Sequence, residues 1–373
     1  MIFNRTKKHL LFTTTSLLTS LLAACSSSGE DKKTETAKMV FPVHDTIPLK
    51  PLVVTDTSIH DTDDPAIWVN PNDPSKSLIL GTDKNEDGAV YVYDLNGKID
   101  QKRTVRGLKR PNNIDVEYGL KLGGKKIDIA VVSERLTHNV RVFSLPDMQP
   151  IDNGGFPAFE GETGEEFRDL MGISCYKNKK GQIYVIVGRK NGPTTGSYLW
   201  QYLLEEKNGK LSFTLVRKFG KYSGKNEIES IAVDDQLGYV YYSDETVGVR
   251  KYYADPSKGN KELALFATTG FKEDHEGISI YNLNDKEGYI LVSDQQNNTF
   301  HIFPREGASG KPHYHPLLKT VRVSTNESDG SEVCALPFGK QFPKGLFVAM
   351  SDNKTFQFYS WEAIAGKELR MIP

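Results

Sequence analysis

LILGTDKNEDGAVYVYDL, residues 78–95, reads as an apolar strand, a polar turn and a second strand ending in aromatics. Apolar and β-branched runs separated by a Lys-Asn-Glu-Asp-Gly turn are the marks of two antiparallel strands. The unit recurs five more times. It reads IDIAVVSERLTHNVRVFSL from Ile127, IYVIVGRKNGPTTGSYLWQYLL from Ile183 and YVYYSDETVGVRKYYA from Tyr239. It closes with YILVSDQQNNTFHIFP from Tyr289 and LFVAMSDNKTFQFYSW from Leu346. Start-to-start spacings are 49, 56, 56, 50 and 57 residues. A period near fifty with several strands per unit marks a β-propeller, whereas solenoid repeats are shorter or helical and a sandwich does not repeat at this period. The expected fold is therefore all-β: a six-bladed β-propeller, each blade a mostly four-stranded antiparallel sheet.

Upstream of each pair lies another short strand, which forms a second aligned column. Its members are Asp64-Pro-Ala-Ile-Trp68, Asn112-Asn-Ile-Asp-Val116, Met171-Gly-Ile-Ser-Cys175, Glu229-Ser-Ile-Ala-Val233, Glu276-Gly-Ile-Ser-Ile280 and Asp329-Gly-Ser-Glu-Val333. Each is expected to be the innermost strand of its blade and to line the channel. Adjacent antiparallel strands place the start of one beside the end of the next. The second strands end Asp83-Lys84, Glu134-Arg135, Arg189-Lys190, Asp244-Glu245, Asp294-Gln295 and Ser351-Asp352. Two concentric rings of ionisable side chains are thus expected at one mouth of the channel. Ring closure is expected from Leu52-Val-Val54, pairing as an outer strand of the final blade.

A ring of carboxylates repels itself, and burial worsens this, so a cation is expected among them. Oxygen donors select hard ions, and Ca²⁺ accepts six to eight of them in loose geometry. Zinc is disfavoured, because none of the eight His forms an H-x-x-H or HExxH pairing. The same mouth carries Lys84, Lys109, Arg110, Arg135, Arg189 and Lys190. Cations beside a metal ion call for an anion between them, and a polyphosphorylated ligand meets that need. Metal ions also lower the pKa of a bound water and stabilise charge on a phosphoryl group. Metal-dependent hydrolysis of a phosphate ester is the chemistry this pattern favours. Rim residues of ordinary turns are the competing reading for any one position.

Composition bounds the remaining classes. Lys and Arg total 47 against 48 Asp and Glu, a balance that argues against a nucleic-acid partner. Three cysteines exclude a disulfide scaffold. Cys175 and Cys334 lie in strand-like apolar runs and are expected to be buried, unpaired thiols. No G-x-S-x-G elbow or phosphate-loop spacing is present. At the start of the chain, Arg5, Lys7 and Lys8 precede an apolar run from Leu10 to Ala24, as in a secretory leader. The run ends Leu22-Ala23-Ala24-Cys25 and resembles a bacterial lipobox. That resemblance implies a lipoprotein signal peptide at 1–24, an acylated Cys25, a polar tether at 25–44 and a folded domain at 45–373. An exported monomer, lipid-anchored to the bacterial cell envelope at the outer membrane or cell surface, is the expected form.

Asp61-Thr-Asp-Asp-Pro-Ala-Ile-Trp68 is similar to the D-x-x-D-P-A-I-W hallmark of the β-propeller phytases. Tyr91-Val-Tyr-Asp-Leu-Asn-Gly97, Asn112-Asn-Ile-Asp-Val116, Gly124-Lys-Lys-Ile-Asp-Ile-Ala130 and Trp361-Glu-Ala-Ile364 follow in the family's order, so the resemblance spans roughly 45–370. It implies a six-bladed, calcium-dependent phosphomonoesterase of the 3-phytase type. Such an enzyme converts phytate (myo-inositol hexakisphosphate) to lower inositol phosphates by attack of a Ca²⁺-bound water. Carried over by position, Glu229, Glu245, Lys84 and Arg135 are the catalytic group. Lys84, Arg135, Lys190, Arg189 and Gln295 fall on substrate-binding or rim positions. Asp64, Asp115, Glu229, Glu245, Glu276 and Asp329 would hold several Ca²⁺ ions. Met171 stands where the family pattern has a Tyr near substrate, and the acidic segment 326–332 is shorter than in the bacillus-type enzymes. A six-bladed lactonase or esterase, or a non-catalytic surface-binding propeller, are the alternatives. The cations Lys84, Arg135 and Lys190 weigh against the first, and a water-activating acid cluster weighs against the second.

Overall fold

The computed structural model describes residues 42–373. Six antiparallel sheets succeed one another along these residues. Blade 1 comprises Thr62–Trp68, Leu78–Asp83, Gly88–Tyr93 and Val105–Leu108. Blade 2 runs Pro111–Leu122, Lys125–Glu134, Asn139–Leu145 and Gln149–Pro150, with Phe156–Pro157 also paired to its third strand. Blade 3 is Leu170–Lys177, Ile183–Arg189, Leu199–Lys207 and Lys210–Phe219. Blade 4 is Ile231–Asp234, Tyr239–Asp244, Gly248–Tyr253 and Ala264–Phe266. Blade 5 is His275–Asn282, Gly288–Asp294, Thr299–Pro304 and Lys319–Arg322, and blade 6 begins Ser331–Cys334, Leu346–Ser351, Thr355–Ser360. The first strands of successive blades touch in an unbroken circuit, blade 6 back to blade 1 included. The molecule is a six-bladed β-propeller.

Alternation along the second and third strands builds this ring. In blade 1, Leu78, Leu80, Val90 and Val92 pack toward blade 2, while Ile79, Ala89, Tyr91 and Tyr93 pack toward blade 6. Both faces of each sheet are covered, so the strands read as continuous apolar runs instead of alternating ones. The outcome is six separate apolar clusters, one between each pair of neighbouring blades. Each fully buried Val, Leu or Phe contributes about 1.5–3 kcal/mol, so every interface is a small core in its own right. At the axis the inner strands approach closely. A Cβ on Gly172 would run into the Glu229 carbonyl, and one on Gly330 into Asp64 and the Asp63 carbonyl.

The ring closes through the N-terminal segment. Val53–Val54 pairs antiparallel with Phe358 and Gln357 as the outermost strand of blade 6, as the sequence led us to expect. Val43–His44 adds a parallel fifth strand to blade 5, opposite Lys319 and Thr320. The expected tether therefore overlaps the folded part by its last two residues. The expected signal peptide, Cys25 and the rest of the tether lie outside the described residues. Among the described residues no helix is long and apolar enough to cross a membrane. Cys175 is buried and unpaired, whereas Cys334, expected to be buried, is only partly covered.

Candidate active site at the channel mouth

Four inner strands bulge at the same place. Register slips between Thr62 and Pro65, Pro111 and Ile114, Leu170 and Ile173, and His275 and Ile278. A bulge re-aims the side chains beside it. Beyond it, Pro65, Ile114, Ile173, Ile231, Ile278 and Ser331 occupy equivalent pairing positions. Counting back two residues gives the innermost ring: Asp63, Asn112, Met171, Glu229, Glu276 and Asp329. Five of these were expected. In blade 1 the ring member is Asp63 and not Asp64, because the bulge leaves Asp64 one step deeper.

The ends of the second strands alternate in role. Asp83 accepts the His60 and Asp61 N–H groups, Glu134 that of Lys109, Asp244 that of Ser223, and Asp294 that of Lys272. These residues brace the loop entering each blade. The following residue (Lys84, Arg135, Lys190, Glu245, Gln295) belongs to the mouth. Hydroxyls one place earlier stitch the blades: Thr82 Oγ1 donates to the Asn112 carbonyl at 2.6 Å, and Ser243 Oγ to that of Glu276 at 2.8 Å.

Two groups of side chains meet at the mouth. Glu229, Glu245 and Glu276 each offer a carboxylate oxygen, and these oxygens lie within 4.8 Å of one another. Asn112 Nδ2 donates to Glu229 Oε1 at 2.7 Å. Burial, reinforced by Glu229 and Glu227, pushes Glu245 up to about 9. Burial and then Glu245, Glu229 and Asp329 push Glu276 well above the usual carboxylate range. In the second group, Lys84 Nζ bridges Asp63 Oδ1 at 2.9 Å and Asp329 Oδ2 at 2.7 Å. Burial works against the Lys84 charge, but Asp63, Glu229 and Asp329 outweigh it and raise its pKa. Asp63 is raised by burial and by Glu229 and Asp329, despite Lys84. Gln295 Nε2 donates to Asp329 Oδ1. Asp63, Glu229, Glu276 and Asp329 thus share one field, as the sequence implied for three of them.

This cluster fits a hard cation. Buried oxygens Oδ2 of Asp63, Oδ1 of Asn112 and Oε2 of Glu276 have no hydrogen-bond partner. An unpaired buried acceptor costs about 1–3 kcal/mol, a cost that coordination to a cation would relieve. The donor set is oxygen only, which suits calcium.

The cations separate into two kinds. Arg135 is buried; its Nε donates to the Leu170 carbonyl at 3.3 Å, and a terminal nitrogen meets Met171 Sδ. Thioether sulfur meets the edge of a guanidinium that, among the described residues, has no carboxylate partner. Lys190 Nζ pairs with Glu227 Oε1 at 2.9 Å and lines a cavity of about 410 Å³ with Glu245 and Tyr222. Arg189, expected to bind substrate, does not reach the mouth. It is fully buried, donates to Glu162 and to the Phe167, Tyr198 and Ser197 carbonyls, and lies over the Phe159 ring. Four of its five donors are used within the protein, because strand alternation turns it away from Lys190.

Asp64 and Asp115, expected among the metal ligands of the mouth, lie deeper. They line a channel cavity of about 250 Å³ together with Glu332. Asp64 Oδ2 accepts the Ile114 N–H at 3.0 Å; Asp115 Oδ2 accepts Ser174 Oγ at 2.9 Å and the Cys175 N–H at 2.7 Å. Burial raises Asp115 to about 6 against these donors. Burial, Asp115 and Asp64 raise Glu332 well above the carboxylate range. Asp63 and Glu332 were given no role by the sequence, and Asn112, expected in the ring, was given none in binding. The adjacent pair Asp63-Asp64 was the one available signal for the first.

The family model described as Phytase matches residues 7–369. A 3-phytase of Bacillus subtilis (strain 168) is 29% identical over 321 residues, spanning 81% of this chain and 80% of that protein. Among solved structures, one described as "Structure of Dos1 propeller" aligns at 12% identity and a TM-score of 0.42, over 80% of this chain and 67% of the other. A model match over almost the full length, at a mouth where carboxylates and cations converge on one channel, places this chain in the phytase family.

Proposed function

We propose that this protein is a calcium-dependent phosphomonoesterase that hydrolyses phytate to lower inositol phosphates and phosphate. The observation that carries the reading is the convergence of Glu229, Glu245 and Glu276 oxygens within 4.8 Å, at a mouth that also holds Lys84 and Arg135. Glu229, Glu245, Glu276, Asp63 and Asp329 would hold the calcium ions. When bound, calcium supplies charge neutralisation for the phosphate and a water of lowered pKa.

The chain's own groups do the rest. Lys84, fixed between Asp63 and Asp329, keeps its proton and presents a cation to a phosphate oxygen. Arg135 offers a guanidinium whose planar fork matches phosphate. Lys190 stands over the cavity beside Glu245 and can leave Glu227 for a phosphate. Asn112 orients Glu229 through its amide N–H. Preorganised charge of this kind acts mainly by positioning and by stabilising the transition state.

Phosphate release from phytate, measured with calcium and with excess chelator, tests the reading. We expect release with calcium and a loss of about a hundredfold or more on chelation. Release that survives complete chelation overturns the calcium requirement; no release in either condition overturns the phytase reading. We also propose that Cys25 is acylated and anchors an exported enzyme to the cell envelope. Cys25→Ser would then move the protein from the membrane to the soluble fraction, and unchanged membrane association would overturn the anchor.

A further inference from the structure

Two residues before each ring position stands a third tier: Asp61, Arg110, Asp169, Glu227, Asp274 and Glu327. In five blades its carbonyl accepts the N–H of the mouth residue on the second strand. Lys84 donates to Asp61 at 2.7 Å, Arg135 to Arg110 at 3.0 Å and Lys190 to Asp169 at 2.8 Å. Glu245 donates to Glu227 at 3.2 Å and Gln295 to Asp274 at 3.5 Å. Each of these five blades therefore sets the backbone of one outer-tier residue beside that of one mouth residue. Five of the outer tier are carboxylates, and Arg110 alone is a cation.

Blade 2 consequently sets two arginines on hydrogen-bonded backbone positions at the mouth. The carboxylate nearest in sequence, Glu134, is committed to the Lys109 N–H at 2.7 Å, the Thr137 hydroxyl at 2.8 Å and Arg141 at 3.4 Å. The Arg110 Nε is buried and has no partner, and Arg135 finds only a carbonyl and a thioether. Arg110 also adopts a left-handed backbone with φ of 57°, held by its N–H on the Asn85 carbonyl at 2.8 Å. Such a conformation costs a side-chain-bearing residue about 1–3 kcal/mol and gathers at functional sites. On its other side the Arg110 charge reaches Asp61 of blade 1, beside Lys84. Two arginines gathered at one mouth, neither in a salt bridge among the described residues, call for an anion to share.

We propose that Arg110 is a substrate-contacting residue, its guanidinium and that of Arg135 together seating one phosphate group of a polyphosphorylated substrate on blade 2. The proposal rests on the phytase reading and adds a residue to it. The experiment compares wild type, Arg110→Ala and Arg110→Lys, all in calcium, in phytate hydrolysis and in calorimetric binding of phytate, with melting temperature as the check on folding. Loss of a charge-assisted contact predicts a rise of about tenfold in KM and in Kd for Arg110→Ala. kcat should stay within about twofold, and Arg110→Lys should recover part of the affinity because it keeps the charge and loses the fork. A folded Arg110→Ala with unchanged KM and Kd overturns the proposal. Should Arg110→Ala fail to fold, Arg110→Lys with wild-type Kd and KM overturns it equally. If wild type binds phytate without hydrolysing it, the activity reading falls while the Kd comparison still decides the role of Arg110.

Discussion

Blades 2 and 4 put equivalent residues in the same places, with opposite charge at two of three positions and a neutral amide facing a carboxylate at the third. Blade 2 offers Asn112, Arg135 and Arg110; blade 4 offers Glu229, Glu245 and Glu227. Neither set is fully neutralised: among the described residues the guanidiniums make no salt bridge, and although Glu227 pairs with Lys190, burial with neighbouring acids holds Glu245 at about 9. Blades 1 and 3 differ from both. There Lys84 sits between Asp63 and Asp329, and Lys190 on Glu227. One side of the mouth is built for an anion and the other for a cation. A metal–polyphosphate complex, the ligand of the proposed function, would satisfy both at once, which neither ligand would alone.

The largest effect should come from breaking the acidic half. Glu229→Gln removes a charge but keeps the shape and the Asn112 contact, so phytate kcat/KM should fall by about a hundredfold or more. In chelator the same variant should melt no lower than wild type, because it relieves repulsion. A parallel fall in melting temperature would make Glu229 a structural residue.

Next comes the contrast between Arg135 and Arg189, alternate members of the same repeat. Arg135→Ala should reduce kcat/KM by about ten- to a hundredfold with little change in melting. Arg189→Ala should instead destabilise by about 3–5 kcal/mol, because it strands Glu162 and several buried carbonyls. Any activity deficit of Arg189→Ala should vanish at low temperature, where the protein stays folded. A deficit that persists would return Arg189 to the substrate site.

That contrast also marks how far the sequence could be read. The ring was legible because two-sided burial forces six apolar strand pairs, and their period is visible without coordinates. The polarity of the mouth was legible because antiparallel pairing puts strand starts beside strand ends. What escaped was one-residue detail. The bulge at Asp63-Asp64 shifts which acid joins the ring, and local sequence does not mark it. Arg189 and Lys190 are adjacent cations, and only pairing register decides which faces outward. Asp115 lies three residues beyond Asn112 on a strand running down the channel, so its depth follows from strand direction, which a residue-type match ignores.

Stability against pH sharpens the charge comparison further. The folded pKa of Glu245 lies above its unfolded value, so its contribution is present below about 4.5 and is lost as pH rises toward about 9. Chelated wild type should therefore lose melting temperature relative to Glu245→Gln across that window. Saturating calcium should reverse the loss, since a ligand at a hundred times its Kd stabilises by about 2.7 kcal/mol. Equal pH profiles for the two chelated proteins would mean that Glu245 is already neutralised by the protein.

Lys251, on blade 4 but away from the mouth, is the counter-example that isolates what the mouth contributes. It too is a buried charge without a salt bridge. Yet its partners are neutral: the Pro312 carbonyl at 2.7 Å, His315 Nε2 at 3.2 Å and the Tyr239 ring at 3.8 Å. His315 Nδ1 donates to the Pro304 carbonyl at 2.7 Å, which leaves Nε2 to accept from Lys251. Burial lowers Lys251 to about 7. Its folded pKa lies below the unfolded value of 10.5, so between those limits the unfolded chain binds more protons and stability rises with pH. Wild type should gain on Lys251→Met by about 1 kcal/mol per pH unit from 7.5 to 9.5. The slope should be the same with calcium or chelator, and phytate turnover should not change. A calcium-dependent slope would tie Lys251 to the mouth and dissolve the distinction between charges that await a ligand and a charge that the fold has solvated with carbonyl and ring.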